Sequence, residues 1–144
     1  MSQKQKVEAM LRGARIRFES ETGEVIEDNS RLRYFVESRA ALGNAMRPYA
    51  TLVQIGKLFN KDHSTFVHHR KEHDGLMLHS PDYLRKYSLA TKIVMDLAQE
   101  MDINPISTKL TSHDRLIEVQ KCIKLLTEME EKLIEGLGYQ MPTP

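Results

Sequence analysis

Five of the six histidines in this chain, His63, His68, His69, His73 and His79, fall within one short stretch. Imidazole is the commonest metal ligand, and His69 and His73, four residues apart, would share one face of a helix. A zinc site takes three or four convergent ligands, yet no acidic set with ligand spacing accompanies these histidines. Cys122 is the only cysteine, which excludes a cysteine-based finger or an internal disulfide. Histidines facing a groove or partly packed therefore explain the cluster, and no metal is expected. Nucleophilic catalysis by Ser64 or Cys122 would need a positioned base and an orienting acid. Asp62, His63 and Ser64 are sequence neighbours that point in different directions at a helix start. No Gly-x-x-x-x-Gly-Lys-Ser/Thr phosphate loop occurs. The expectation is a protein that is not an enzyme and carries no cofactor.

The charges that accompany the histidines are unevenly spread. The net charge is only +1, but residues 30–79 carry eight Lys/Arg against four Asp/Glu. Residues 1–29 carry five against six, and residues 80–144 eight against ten. The positive field is thus concentrated in the middle third, as in a protein that meets nucleic acid; a solvated basic face would look the same. No window approaches 18 consecutive apolar residues, so no membrane span is expected. The first residues are too polar for a signal peptide, which fits a cytoplasmic location.

Apolar spacing predicts an all-α chain. Val7, Met10, Leu11 and Ala14 mark a helix over residues 3–15. Residues 18–29, with a Thr22-Gly23 turn signal, read as a loop or small hairpin. Ser30 is placed as the N-cap of a helix ended by Arg47-Pro48, because a residue before proline is pushed out of the helical region. Thr51 caps a short helix with Leu52, Ile55, Leu58 and Phe59. Asn60-Lys61-Asp62 is a polar turn, and Asp62 caps a second helix, 63–73, that Asp74-Gly75 stops. Ser80-Pro81 opens a helix to about residue 101. Residues 102–111 are the linker candidate, and a last helix runs over 112–137. Residues 1–101 are thus expected to form the main domain and 112–138 an appended helix.

Residues 51–73 are the part that carries function. Two short amphipathic helices joined by a tight turn are the pattern of a helix-turn-helix, whose second helix enters the major groove with its first turn at base edges. That turn here is Asp62, His63, Ser64 and Thr65, short polar groups suited to bases and phosphates. Gly56 allows close approach of the second helix. An ordinary helical hairpin has the same pattern.

IGKLFNKDHST, with ESRAALGNAMR upstream, resembles the C-terminal DNA-binding domain of the bacterial replication initiator DnaA. The likeness spans residues 25–75 and rests on Ile55, Gly56, Phe59, Lys61, Asp62, His63, Ser64 and Thr65, then His68, with Arg39 and Arg47 upstream. It implies duplex-DNA binding without an ATPase module, as in a phage or accessory bacterial replication or transcription factor. Asp62, His63, Ser64 and Thr65 would read the major groove. Arg39 and Arg47 would touch backbone or minor groove. With His68, Lys57, Lys61 and Lys71 these form the expected DNA-binding set. The departures are a shorter segment before Ile55, a shorter turn, and His69, Arg70 and His73 at sites usually small or apolar. They bear on which sequence is read more than on whether DNA is bound. A protein-interaction adaptor, its basic helix pair on an acidic partner, is the competing reading.

Leu116, Val119, Ile123, Leu126, Leu133 and Leu137 repeat at 3–4 spacing with Glu130 interrupting. The stripe can pack on the 81–101 helix, pair two copies of the chain, or dock another protein. A homodimer through residues 112–137 is expected, since two recognition helices double the contacts to one duplex.

Overall fold

The computed structural model describes residues 2–106, 120–121 and 123–132. The architecture is all-α, with no strand among the described residues: α1 (Gln3–Thr22), α2 (Arg33–Met46), α3 (Leu52–Leu58), α4 (His63–His79) and α5 (Pro81–Glu100). Residues 120–121 and 123–132 are also helical.

α2 is the hub. Its small residues Ala40, Ala41, Gly43 and Ala45 let neighbours approach on several sides, and every residue from Glu37 to Met46 is buried. α5 and α4 pack on α2, α1 packs on α5 and α3, and α3 packs on α4. Phe18, Phe59, Phe66, Tyr83, Tyr87, Met10 and Leu42 fill the space between them. Each such side chain contributes about 1.5–3 kcal/mol when fully buried, far more than the helix propensities it overrides.

That imbalance accounts for the boundaries that differ from expectation. α1 runs on to Thr22, well past residue 15, because Phe18 lies on the buried face continued from Leu11 and Ala14. Gly23, in the left-handed region at φ 75°, then caps it with an N–H bond to the Glu19 carbonyl. α4 does not stop at Asp74-Gly75 but continues to His79. Leu76 and Met77 pack against the core, which offsets the roughly 1 kcal/mol cost of a helical glycine. Ser80 ends α4 and starts α5, its Oγ accepting from the Tyr83 N–H. Ser30 does not cap α2; the cap position is Leu32, without a side-chain bond. Residues 102–106 are not a free linker. Ile103 is buried, the chain turns at Asp102 with φ 55°, and the Ile106 N–H bonds the Pro48 carbonyl at 2.7 Å. Of the C-terminal stripe, Leu126 lies against the core, as does its neighbour Met129 outside the stripe, whereas Ile123 of the stripe and the adjacent Leu125 are exposed. Leu116, Val119, Leu133 and Leu137 lie outside the described residues.

Candidate nucleic-acid interface

The turn between α3 and α4 is built from backbone bonds. Thr51 opens α3 with a reciprocal capping box to Gln54. At the other end Asn60 adopts φ 54°, a conformation asparagine tolerates better than most residues. The Lys61 N–H bonds the Gly56 carbonyl at 2.8 Å and the Asn60 N–H bonds the Lys57 carbonyl at 3.2 Å, the paired bonds of a Schellman end. Gly56 is required above all by this turn, since a Cβ there would meet the Lys61 carbonyl oxygen at 2.6 Å, and the start of α4 at His63 N lies 3.4 Å from the same position.

α4 leaves the turn with a polar first turn facing solvent. Asp62, His63 and Ser64 are exposed and Thr65 is half-buried. The Asp62 carboxylate accepts from the Ser64 hydroxyl at 2.7 Å, and His63 Nδ1 lies 3.2 Å from its other oxygen. The side chain makes no cap bond to the α4 backbone. The Ser64 hydroxyl, and to a lesser degree His63 and nearby backbone N–H groups, holds this carboxyl below its ordinary value. Asp62 thus touches both neighbours. A serine nucleophile needs the histidine between acid and hydroxyl, so this order does not make a catalytic triad.

Along α4 the exposed residues Ser64, His68, Lys71, Gly75 and Leu78 fall on one stripe by helical spacing. Phe66, His69 and His73 form the opposite, buried face. Phe66 stacks at a tilt on Phe59, 5.5 Å between centroids, and lies against the α2 backbone at Gly43. Asn44 Nδ2 donates to the His69 carbonyl at 3.2 Å and to the Tyr83 hydroxyl at 2.9 Å. That hydroxyl is also 2.6 Å from His73 Nδ1. A buried polar set on α2, α4 and α5 therefore fixes the rotation of α4 about its axis. Burial pushes the His69 imidazole below its ordinary value, against the pull of Glu72. Among the described residues no three His, Cys, Asp or Glu are grouped as metal ligands. No described helix is long and apolar enough to cross a membrane.

The basic residues separate into two kinds. Lys57 and Lys71 are exposed and Lys61 half-exposed, and none of their ammonium groups bonds or pairs with a described residue. Arg70, on α4 but absent from the expected set, is likewise exposed and unpaired. His68 pairs with Glu72 one turn on, so its imidazole reaches a ligand only with that carboxylate beside it. Arg39, expected at the DNA backbone or minor groove, is instead buried at 5% exposure. It donates to the carbonyls of Glu27 and Ser30, both at 2.6 Å, pinning the loop before α2. Desolvation lowers its pKa, partly offset by Asp28. Arg47 is half-buried, with Nη1 enclosed and unpartnered, so only part of its guanidinium can reach outward. Gly43 and Asn44 position the interface without belonging to it. A glycine inside an otherwise helical run was the available signal for the first.

No protein-family model matches the chain, and neither a curated protein nor a solved structure matches it.

Proposed function

We propose that this protein binds double-stranded DNA sequence-specifically in the manner of the DnaA C-terminal domain, as a phage or bacterial replication or transcription accessory factor acting in the cytoplasm. One observation carries the reading: α4 offers a continuous polar stripe from Ser64 through His68 to Lys71 while its other face is locked by Phe66, His69 and His73. The stripe from Ser64 to Lys71 is about 10 Å long at about 1.5 Å per residue. That fits within a major groove about 12 Å wide. Lys61 and Arg70 accompany the stripe as unpaired cations suited to phosphates, whereas Lys57 lines a groove between α3 and α1.

The test is selection of bound sequences from random duplexes, followed by titration of the winner at several salt concentrations. Recovery of one motif, with affinity falling steeply as salt rises, supports the proposal. An absence of duplex binding at low salt overturns it and leaves the adaptor reading.

Pairing of two copies through residues 112–137 is the finer part of the proposal. Leu126 is spent on the protomer's own core, so among the described residues pairing would rest on Ile123 and Leu125. A dimer would appear as two related half-sites in the selected sequences.

A further inference from the structure

α1 and α3 run beside one another with a groove of about 570 Å³ between them. Its apolar lining is Leu58, half-buried, and Ile16, 66% exposed at the rim, over a buried Leu11, and its other six lining residues are polar or charged. Arg15 closes one end, donating Nη1 to the Leu58 carbonyl at 2.8 Å. At that end Glu19 is already engaged, by Arg15 and by the Ile26 N–H at 2.6 Å. Three charges lining the groove have no bonded partner among the described residues: Arg12 on α1, Lys57 on α3, and Glu8 toward the start of α1.

We infer that this groove docks an acidic amphipathic helix of a partner protein, with apolar side chains between Leu11, Ile16 and Leu58 and carboxylates against Arg12 and Lys57. The volume suits a few apolar side chains presented at i, i+3 or i+4 spacing, as in helix-in-groove recognition. The unpaired charges set both sign and direction. Two cations near the middle call for acids on the bound helix, and Glu8 calls for a base at the end lying over the start of α1. A phosphodiester backbone would satisfy the cations but place its charge against Ile16, Leu58 and the carboxylate of Glu8, which costs desolvation and repulsion without return. The groove is formed by α1 and α3, whereas the polar stripe read as DNA-facing lies on α4. Partner and duplex can therefore be held together.

A displayed library of random helical peptides, selected on the full-length protein, tests this. Ile16→Asp and Arg12→Glu are the variants; both sites are exposed, and circular dichroism with thermal melting verifies their fold. The expected winners carry Leu or Ile at helical spacing with Glu or Asp alongside. A synthetic peptide of the winning sequence should bind at least tenfold more weakly to either variant and should not be displaced by duplex DNA. Three results overturn the inference. One is an absence of any peptide that distinguishes wild type from Ile16→Asp. Another is displacement of the peptide by duplex, which would make the groove part of the DNA surface. The third is conversion of a dimer to a monomer by Ile16→Asp in analytical ultracentrifugation, which would make a second copy the occupant.

Discussion

Gly43 of α2 and Phe66 of α4 are in contact so close that a Cβ on residue 43 would overlap the phenyl ring. The missing methyl group is what lets the proposed recognition helix lie against the centre of the protein. Gly43→Ala should therefore destabilise the fold by about 1–3 kcal/mol, the range for overpacking in a tight core. This holds although alanine is the better helix former. Urea unfolding midpoints check it; an unchanged or higher midpoint would mean that Phe66 rotates away freely.

The two kinds of basic residue predict opposite phenotypes. Arg39→Ala removes the donor to the Glu27 and Ser30 carbonyls, so stability should fall while the salt slope of DNA binding in the folded fraction stays the same. Lys71→Ala should leave the unfolding midpoint in place and flatten the log–log salt slope by about 0.9, the value of one phosphate contact. Equal salt slopes for Lys71→Ala and wild type would remove Lys71 from the interface.

Specificity should reside in the first turn of α4. His63→Ala and Thr65→Ala are expected to erode discrimination between the selected site and point-mutated sites by about 1–3 kcal/mol for a good base contact. Affinity for random duplex should stay near wild type. Competition binding with a panel of mutated sites measures this, and unchanged ranking in both variants would place base reading elsewhere on the chain.

His69 predicts a pH dependence of stability with a defined sign. Its folded value lies below the ordinary 6.5 because burial disfavours the imidazolium, so between the two values the unfolded chain binds more protons. The stability contributed by neutral His69 is complete above 6.5 and is lost as pH falls below it through the lowered folded value. Glu72 opposes this shift, and His68 and Arg39 reinforce it. Comparing urea midpoints at pH 7.5 and 5.0, wild type should lose more stability on acidification than His69→Gln does. Equal losses would show that His69 does not carry the effect.

Truncation after Thr111 should lower stability as well as abolish pairing, because Leu126 and Met129 pack on the core. Light scattering and thermal melting on intact and truncated chains separate the two effects. A monomeric intact chain at tens of micromolar would end the pairing proposal.

Features closed by bonds over three to five residues were legible in the amino-acid sequence by itself. The Thr51 cap with Gln54, the polar turn at Asn60 and the Ser80-Pro81 start of α5 all need only the chain nearby. The helical periods likewise foretold an all-α protein. α2 also ends beside Arg47-Pro48, but Arg47 itself keeps helical dihedrals at φ -52° and ψ -39°, against the expectation that proline pushes it out of that region. The same local rules ended α1 near residue 15 and α4 at Gly75. Only the tertiary structure reversed them, because Phe18, Leu76 and Met77 gain more from burial than the local signals cost. It also decided which charges are available. Arg39 and Lys71 are both single basic residues on a helix, and nothing in their neighbourhood in the sequence tells them apart. A loop twelve residues upstream consumes the first, while the second faces solvent on the stripe opposite Phe66. A guanidinium seeks whatever carbonyls the fold brings to it, and that meeting is set by how α2 lies against the segment before it.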